Sequence, residues 1–250
     1  RALVGVTLSY VFIAVAVVGV IAWATLGSAT GKGPKESAAP SDPVPVTSTT
    51  TTPAPPSTVA AADLAGLLPD LVELKSLTGQ QRLSAGQIYT VMSADGTTTD
   101  PPDCASLSGA AIPETYDQNV VTGSYGQVFN GPSDPMQPVF VNPNVVAFPD
   151  AAAAQAQVRL LKAAWQRCAE STITVNYPTV GRLVESVGKP VDAGNGITAL
   201  EVELPKGAGI CVRTIAAKGN VVVDDYLTTL SADVPHAVAL TNAILAKIPG

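Results

Sequence analysis

Between Ala2 and Leu26 the chain runs 25 residues without a charged side chain, "ALVGVTLSYVFIAVAVVGVIAWATL". Wound as an α-helix, such a run spans about 37 Å, enough to cross a hydrocarbon core of about 30 Å with some tilt. Trp23 sits near its outer end, where indoles favour the membrane interface. A cleaved signal peptide is the alternative, with Ala22-Trp23-Ala24 as its cleavage site. Its apolar region spans only ~7–15 residues, however, and this one is much longer. The expectation is a retained single-pass anchor over residues 1–26, placing the rest of the chain outside the cell membrane. No cysteine follows closely, so there is no thiol for a lipoprotein acyl anchor. The chain opens on Arg1 rather than Met, which predicts a piece of a longer protein.

Residues 27–59 change character at once. Seven prolines, seven threonines and five serines in this stretch cannot bury a core. It is expected to be an extended, disordered stalk, of a kind that carries O-glycans outside membranes. Its "GKGPKES" has the wrong spacing for a phosphate loop, and no strand precedes it.

Residues 60–250 are long enough to fold around a core of their own. They hold 11 lysines and arginines against 18 acids, a net charge of −7. That balance argues against nucleic acid or an anionic membrane surface as partner. Short helices are expected at 60–68 and 69–78, separated by Pro69, and a helical stretch after Cys104. Strands are expected near 119–129 and 139–148, and Asp150 is placed to cap a long helix, 151–169. In that helix Val158, Leu161, Trp165 and Cys168 share one face, while Arg159, Lys162, Gln166 and Arg167 cover the other. "ITALEVEL" (197–204) alternates with Leu200, Val202 and Leu204 inward. "ICVRTIA" and "VVVDDYL" are joined by the tight "KGN" turn of a hairpin. Ser231 is the expected cap of a last helix, 232–248, with Ala237, Leu240, Ile244 and Ile248 as its buried stripe. Strands following one another without helical crossovers predict an α+β fold with a mostly antiparallel sheet.

Catalytic signatures are missing from this pattern. There is no nucleophile elbow and no haem, flavin or dinucleotide motif. The sole histidine, His236, falls in the first turn of the last helix, as a surface residue would. Three cysteines and one histidine lack the paired short spacings of structural zinc sites. Asp224 and Asp225 point to opposite faces of a strand and cannot act together as acid and base. No cofactor, metal or catalytic residue is expected. A disulfide remains for Cys168, because thiols pair in an oxidising compartment. The residues alone leave three pairings open among Cys104, Cys168 and Cys211.

"DC" at a helix start, "VVAFPDAAAAQAQVRLLKAAWQRCAESTITV" and a strand pair ending in "NVVVDD" resemble a known family. It is the PknH-like extracellular sensor domain of mycobacterial receptor Ser/Thr kinases and their kinase-free relatives. The resemblance covers residues 60–250 and implies a bridge between Cys104 and Cys168. It also implies, in many members, a second bridge from a position like Cys211 to one near Thr228. Threonine there leaves Cys211 unpaired. The implied fold is an antiparallel sheet with helices packed on one side and a cleft on the other. The implied role is a non-catalytic sensor or ligand-binding domain of the mycobacterial cell envelope. It either stands alone or forms the outer half of a kinase whose catalytic domain precedes Arg1. A structural envelope protein that binds a protein partner and no small ligand is the alternative.

The last hairpin suggests where a ligand would sit. A two-residue turn at Lys218-Gly219 would set Cys211 opposite Tyr226, Arg213 opposite Asp224 and Ile215 opposite Val222. These share one sheet face, and Val212, Thr214, Val221 and Val223 share the other. The second set is more apolar and is expected under the helices. Arg213, Asp224 and Tyr226 are then the expected ligand-binding residues on the helix-free face, with an exposed cross-strand salt bridge as the alternative.

Overall fold

The computed structural model describes residues 58–92, 96–132, 139–178 and 180–249. A 3₁₀ turn, Ala61–Leu67, leads into helix α1 (Leu71–Thr78), strand β1 (Ser84–Tyr89) and strand β2 (Thr98–Asp100). Two more 3₁₀ turns, Pro102–Leu107 and Pro113–Thr115, precede strands β3 (Gly123–Asn130), β4 (Phe140–Asn142) and β5 (Asn144–Ala147). Helix α2 (Ala151–Cys168) is followed by strands β6 (Thr172–Tyr177), β7 (Gly181–Val187), β8 (Val191–Asp192) and β9 (Thr198–Glu203). A short 3₁₀ turn, Pro205–Gly207, then gives way to β10 (Ile210–Lys218), β11 (Val221–Thr229) and helix α3 (Val234–Lys247). The expected membrane helix, 1–26, and the stalk up to residue 57 lie outside the described residues. Among the described residues no helix is long and apolar enough to cross a membrane. Val59 already belongs to the fold: its N–H donates to Asn220 Oδ1 and its carbonyl accepts from Asn220 Nδ2.

Every strand pairing among the described residues is antiparallel. The order is β1-β3-β4-β11-β10-β9-β7-β6-β2, with β5 beside both β11 and β3, and β8 beside β9. The expected strand near 139–148 is two strands, because Pro143 has no N–H to give the ladder. The register on β11 nevertheless continues across the break.

At the last hairpin the turn is one residue further along than expected. Lys218 pairs with Val221, so Gly219 and Asn220 make the turn, Gly219 with φ +51°. Asn220 is held there by its side chain, which binds Val59 and also donates from Nδ2 to the Phe148 carbonyl at 2.9 Å. Each cross-strand partner therefore shifts by two: Cys211 faces Thr228, Arg213 faces Tyr226 and Ile215 faces Asp224. A shift of two keeps every residue on its expected face.

The one-sided arrangement of helices is overturned. α3, α1 and the Ala61–Leu67 turn cover one face, packing on Val212, Ala216, Val221, Val223 and Leu227. α2 and the Pro102–Leu107 turn pack on the other, over Cys211, Ile215, Val222, Leu200 and Val202. The cause is that β10 and β11 carry apolar residues on both sides, Cys211, Ile215 and Val222 on one and Val212, Ala216, Val221 and Val223 on the other, and all of them are buried. One layer of helices would leave half of that area wet.

Local signals at α2 act as expected. Asp150 Oδ1 accepts from the Ala153 N–H at 2.8 Å, and Ala154, Val158, Leu161, Trp165 and Cys168 form the buried stripe. Cys104 and Cys168 are joined in a disulfide with Cα atoms 5.9 Å apart. It ties the Pro102–Leu107 turn to the end of α2. At α3 the N-cap position is Asp233 rather than Ser231, and its carboxylate bonds His236 Nδ1 instead of a helix N–H. Pro235 takes a first-turn position, where its missing N–H costs nothing, and the helix starts beside it.

Candidate functional site

Arg213 stands at the middle of β10 on the α2 face and is fully buried. Its guanidinium pairs with Asp224 Oδ1 and donates to the Asp225 carbonyl at 3.2 Å, to the Ser106 carbonyl at 2.9 Å and to the Gly109 carbonyl. Its planar head lies between two rings, 5.7 Å from the Trp165 centroid and 5.5 Å from that of Tyr226. Asp224 Oδ2 accepts from the Ala111 N–H at 2.8 Å and from the Tyr116 hydroxyl at 2.9 Å. Both charges are thus partnered on every side. Burial is the largest single influence on the Arg213 pKa and lowers it, but the Asp224 carboxylate and the other groups around the guanidinium together raise it. Burial, with Asp224 beside it, likewise raises the Tyr116 phenol. The pair is a clasp. It fastens residues 106–111, a segment without sheet hydrogen bonds, onto the sheet beneath.

That fastened segment is one wall of a pocket of about 510 Å³, beside α2 on the same face of the sheet. Such a volume falls in the ~300–1,000 Å³ range of small-molecule sites. Tyr226 and Thr228 of β11 form its floor, Ser108–Ile112 and Tyr177 stand on one side, and Tyr89 and Val128 on another. The aromatic floor is set by an edge-to-face contact of Phe140 with Tyr226, centroids 5.7 Å apart. Gly126 lets Asn144 fold into the lining: a Cβ there would lie 1.9 Å from Asn144 Oδ1. The Asn144 amide instead donates to Asn142 Oδ1 at 2.9 Å.

A chain of hydroxyl and acid groups runs under this floor. The Tyr177 hydroxyl donates to Glu185 Oε1 at 3.0 Å. Tyr226 lines the pocket together with Tyr177, and Cys211 faces Thr228 across the hairpin on the same side of the sheet. Burial raises the pKa of Glu185, although the Tyr177 hydrogen bond opposes it. Burial likewise pushes the Cys211 thiol up to about 12, which keeps it protonated and inert. Burial raises Tyr226 as well, so this network is neutral apart from Glu185.

The structure thus places the three expected ligand residues unequally. Tyr226 lines the pocket. Arg213 and Asp224 lie beneath α2, buried, and hold the wall in place. The face of mixed polarity is not helix-free: α2 brings Trp165 to cover its cation. His236 is exposed and pairs with Asp233, and among the described residues no cluster could hold a metal ion. Tyr89, Tyr177 and Leu183, which the sequence did not single out, come from three separate strands or loops and carry no shared local pattern.

Residues 59–247 match the family described as the PknH-like extracellular domain. The serine/threonine-protein kinase PknJ of Mycobacterium tuberculosis is 36% identical over 200 residues, covering 78% of this chain and 34% of that protein. The serine/threonine-protein kinase PknH of Mycobacterium tuberculosis is 30% identical over 173 residues, covering 68% of this chain and 27% of that protein. The chain therefore spans about a third of the length of these relatives, or less. The crystal structure of the extracellular domain of PknH from Mycobacterium tuberculosis superposes with a TM-score of 0.69 at 24% identity. That match covers 76% of this chain and 97% of the other, and it shows a shared fold.

Proposed function

Since the chain belongs to the PknH-like extracellular domain family, we propose that it is a membrane-anchored sensor whose pocket binds a small envelope component. Residues 1–26 would anchor it in a single pass, and residues 58–250 would stand outside on a stalk. The observation that carries the reading is the pocket: about 510 Å³, aromatic-floored, and walled by a segment that a buried ion pair and a disulfide both hold rigid. Such preorganisation serves recognition, because less ordering entropy is lost on binding. Among the described residues that line it, none forms an activated nucleophile or an acid–base pair, and in this reading the domain binds rather than catalyses. Placement of a kinase domain on the other side of the membrane follows the PknJ and PknH relatives and belongs to the same proposal.

The test uses the full chain in lipid nanodiscs, incubated with a mycobacterial envelope extract and washed. Mass spectrometry should find small molecules retained by the native chain and lost from Leu183→Trp, which fills the half-buried pocket wall. Equal retention by both would remove the ligand-binding role and leave the structural, protein-binding alternative. Topology is tested separately: protease added to intact spheroplasts should digest residues 58–250. Full protection until lysis would overturn the outward placement.

A further inference from the structure

The pocket lining has a property that narrows its ligand. Among the described residues that line it, none is a lysine, arginine, histidine, aspartate or glutamate. The charges nearest to its floor are already spent. Arg213 and Asp224 neutralise each other below Tyr226, and Glu185 is buried behind the Tyr177 hydroxyl. An ionised ligand entering here would lose its hydration and meet no counter-charge, the costliest case of burial. The polar groups of the lining are all neutral, and the tyrosine hydroxyls at positions 177 and 226 and Thr228 are among them. The remaining walls are aliphatic, chiefly Met92, Ile112, Val128, Leu183 and Leu204. Val91 and Val180, also in the lining, are 69% and 67% exposed, so an apolar rim continues outward from the pocket. Isolated exposed valines are ordinary, but two that flank one apolar cavity extend its surface.

Resting on the reading of this pocket as a ligand site, we propose that its ligand is an uncharged aliphatic molecule: a hydrocarbon chain bearing a neutral oxygen function. The chain lies against Met92, Ile112, Val128 and Leu183. The alcohol hydroxyl donates to the Tyr177 oxygen, whose own proton goes to Glu185, and accepts from the Tyr226 hydroxyl. The chain's far end leaves over Val91 and Val180.

Three photoreactive probes that differ only at the head decide this: a diazirine-bearing decanol, the matching decanoate and the matching decyltrimethylammonium. Each is titrated against the full chain in nanodiscs, and crosslinks are mapped by peptide. The decanol should label residues 89–92, 108–112 and 180–183 saturably, at a concentration at least about tenfold lower than either charged probe. Leu183→Trp should abolish saturable labelling, and Tyr226→Phe should cut the preference for the decanol over the decanoate severalfold. If a charged probe saturates the same peptides equally well, the pocket remains a ligand site but the neutral class is wrong. If no probe labels these peptides saturably and Leu183→Trp changes nothing, the site itself falls, and the proposal with it.

Discussion

Asp224 and Asp225 are neighbours on one strand, yet the two faces of the sheet treat them in opposite ways. Under α2, Asp224 faces a guanidinium, a phenol and a backbone N–H. Under α3, Asp225 has no ion-pair partner among the described residues. The Thr241 hydroxyl donates to its Oδ2 at 2.7 Å and the Asn144 N–H to its Oδ1 at 3.3 Å, while Thr214 shares a further 2.7 Å hydrogen bond with Thr241. Burial raises the Asp225 pKa to about 8, against only partial relief from Thr241. One face keeps a charge by surrounding it with partners, and the other keeps an acid by leaving it protonated. The charged arrangement fixes a loop segment and thereby a pocket. The neutral one sits in the core between the sheet and α3 and reaches the pocket only through the Asn144 backbone N–H.

The largest effect expected from this contrast lies on the charged side. Arg213→Met removes one member of a buried pair and strands the other, which costs about 3–5 kcal/mol. Chemical denaturation should show that loss, whereas Thr214→Val at the neighbouring position on the α3 face should cost far less. Comparable losses would mean the two faces are equivalent in kind.

The disulfide supports the same wall from its other end. Closing the loop between Cys104 and Cys168, 64 positions apart, stabilises by roughly 4 kcal/mol in the chain-entropy account. Cys104→Ser and Cys168→Ser should each lose a few kcal/mol, and the double substitution little more than either alone. Additive losses would show that the cysteines contribute by separate packing rather than by their bond.

A reversible difference appears with pH. The folded state holds the Asp225 proton up to about pH 8, while the unfolded chain releases it near pH 4. Stability from this group is fully present below the unfolded value and is lost as pH rises between those limits. The slope is at most about 1.4 kcal/mol per pH unit. Glu185, also raised, adds a slope of the same sign. Asp225→Asn should flatten the pH dependence between 5 and 8 without removing it. An unchanged profile would show that Asp225 is ionised in the fold.

Legibility in the sequence followed the same division. The long helix was plain from Asp150 to Cys168, because its cap, its stripe and its charged back face are all local. The β10–β11 hairpin was plain too, and only its register moved, since the Asn220 contacts that pin the turn come from Val59 and Phe148, far away in the chain. β1, β2 and β7 escaped notice: β1 is mostly exposed, and none of the three alternates apolar and polar residues. β6 does alternate, with Ile173, Val175 and Tyr177 set against Thr172, Thr174 and Asn176, and its start lies in the stretch that carries the family resemblance. Arg213, Asp224 and Tyr226 were picked out as one group on one face, but a mixed face looks the same in sequence whether water or a helix covers it. The pocket had no local signal at all, since its lining runs from Tyr89 to Thr228.

The smallest expected effect concerns Cys211. Its thiol is buried, its pKa is pushed up to about 12, and it lies directly across from Thr228. As a thiol it acts as a small hydrophobe, so Cys211→Ala should cost only about 1 kcal/mol or less. That is well below either cysteine of the bridge. The position gains weight only if a partner is supplied. Thr228→Cys puts two sulfurs opposite each other on adjacent strands, where Cβ atoms come within about 4.5–5.5 Å. Closing so short a loop would add roughly 3 kcal/mol. Oxidised Thr228→Cys protein should therefore melt higher than the native chain, and the gain should vanish with reductant or in the Cys211→Ala background. Because Thr228 is part of the pocket floor, the same variant also asks whether stiffening the floor tightens binding of the decanol probe. A bridge that forms while melting stays unchanged would mean that this hairpin is already as rigid as the bond could make it.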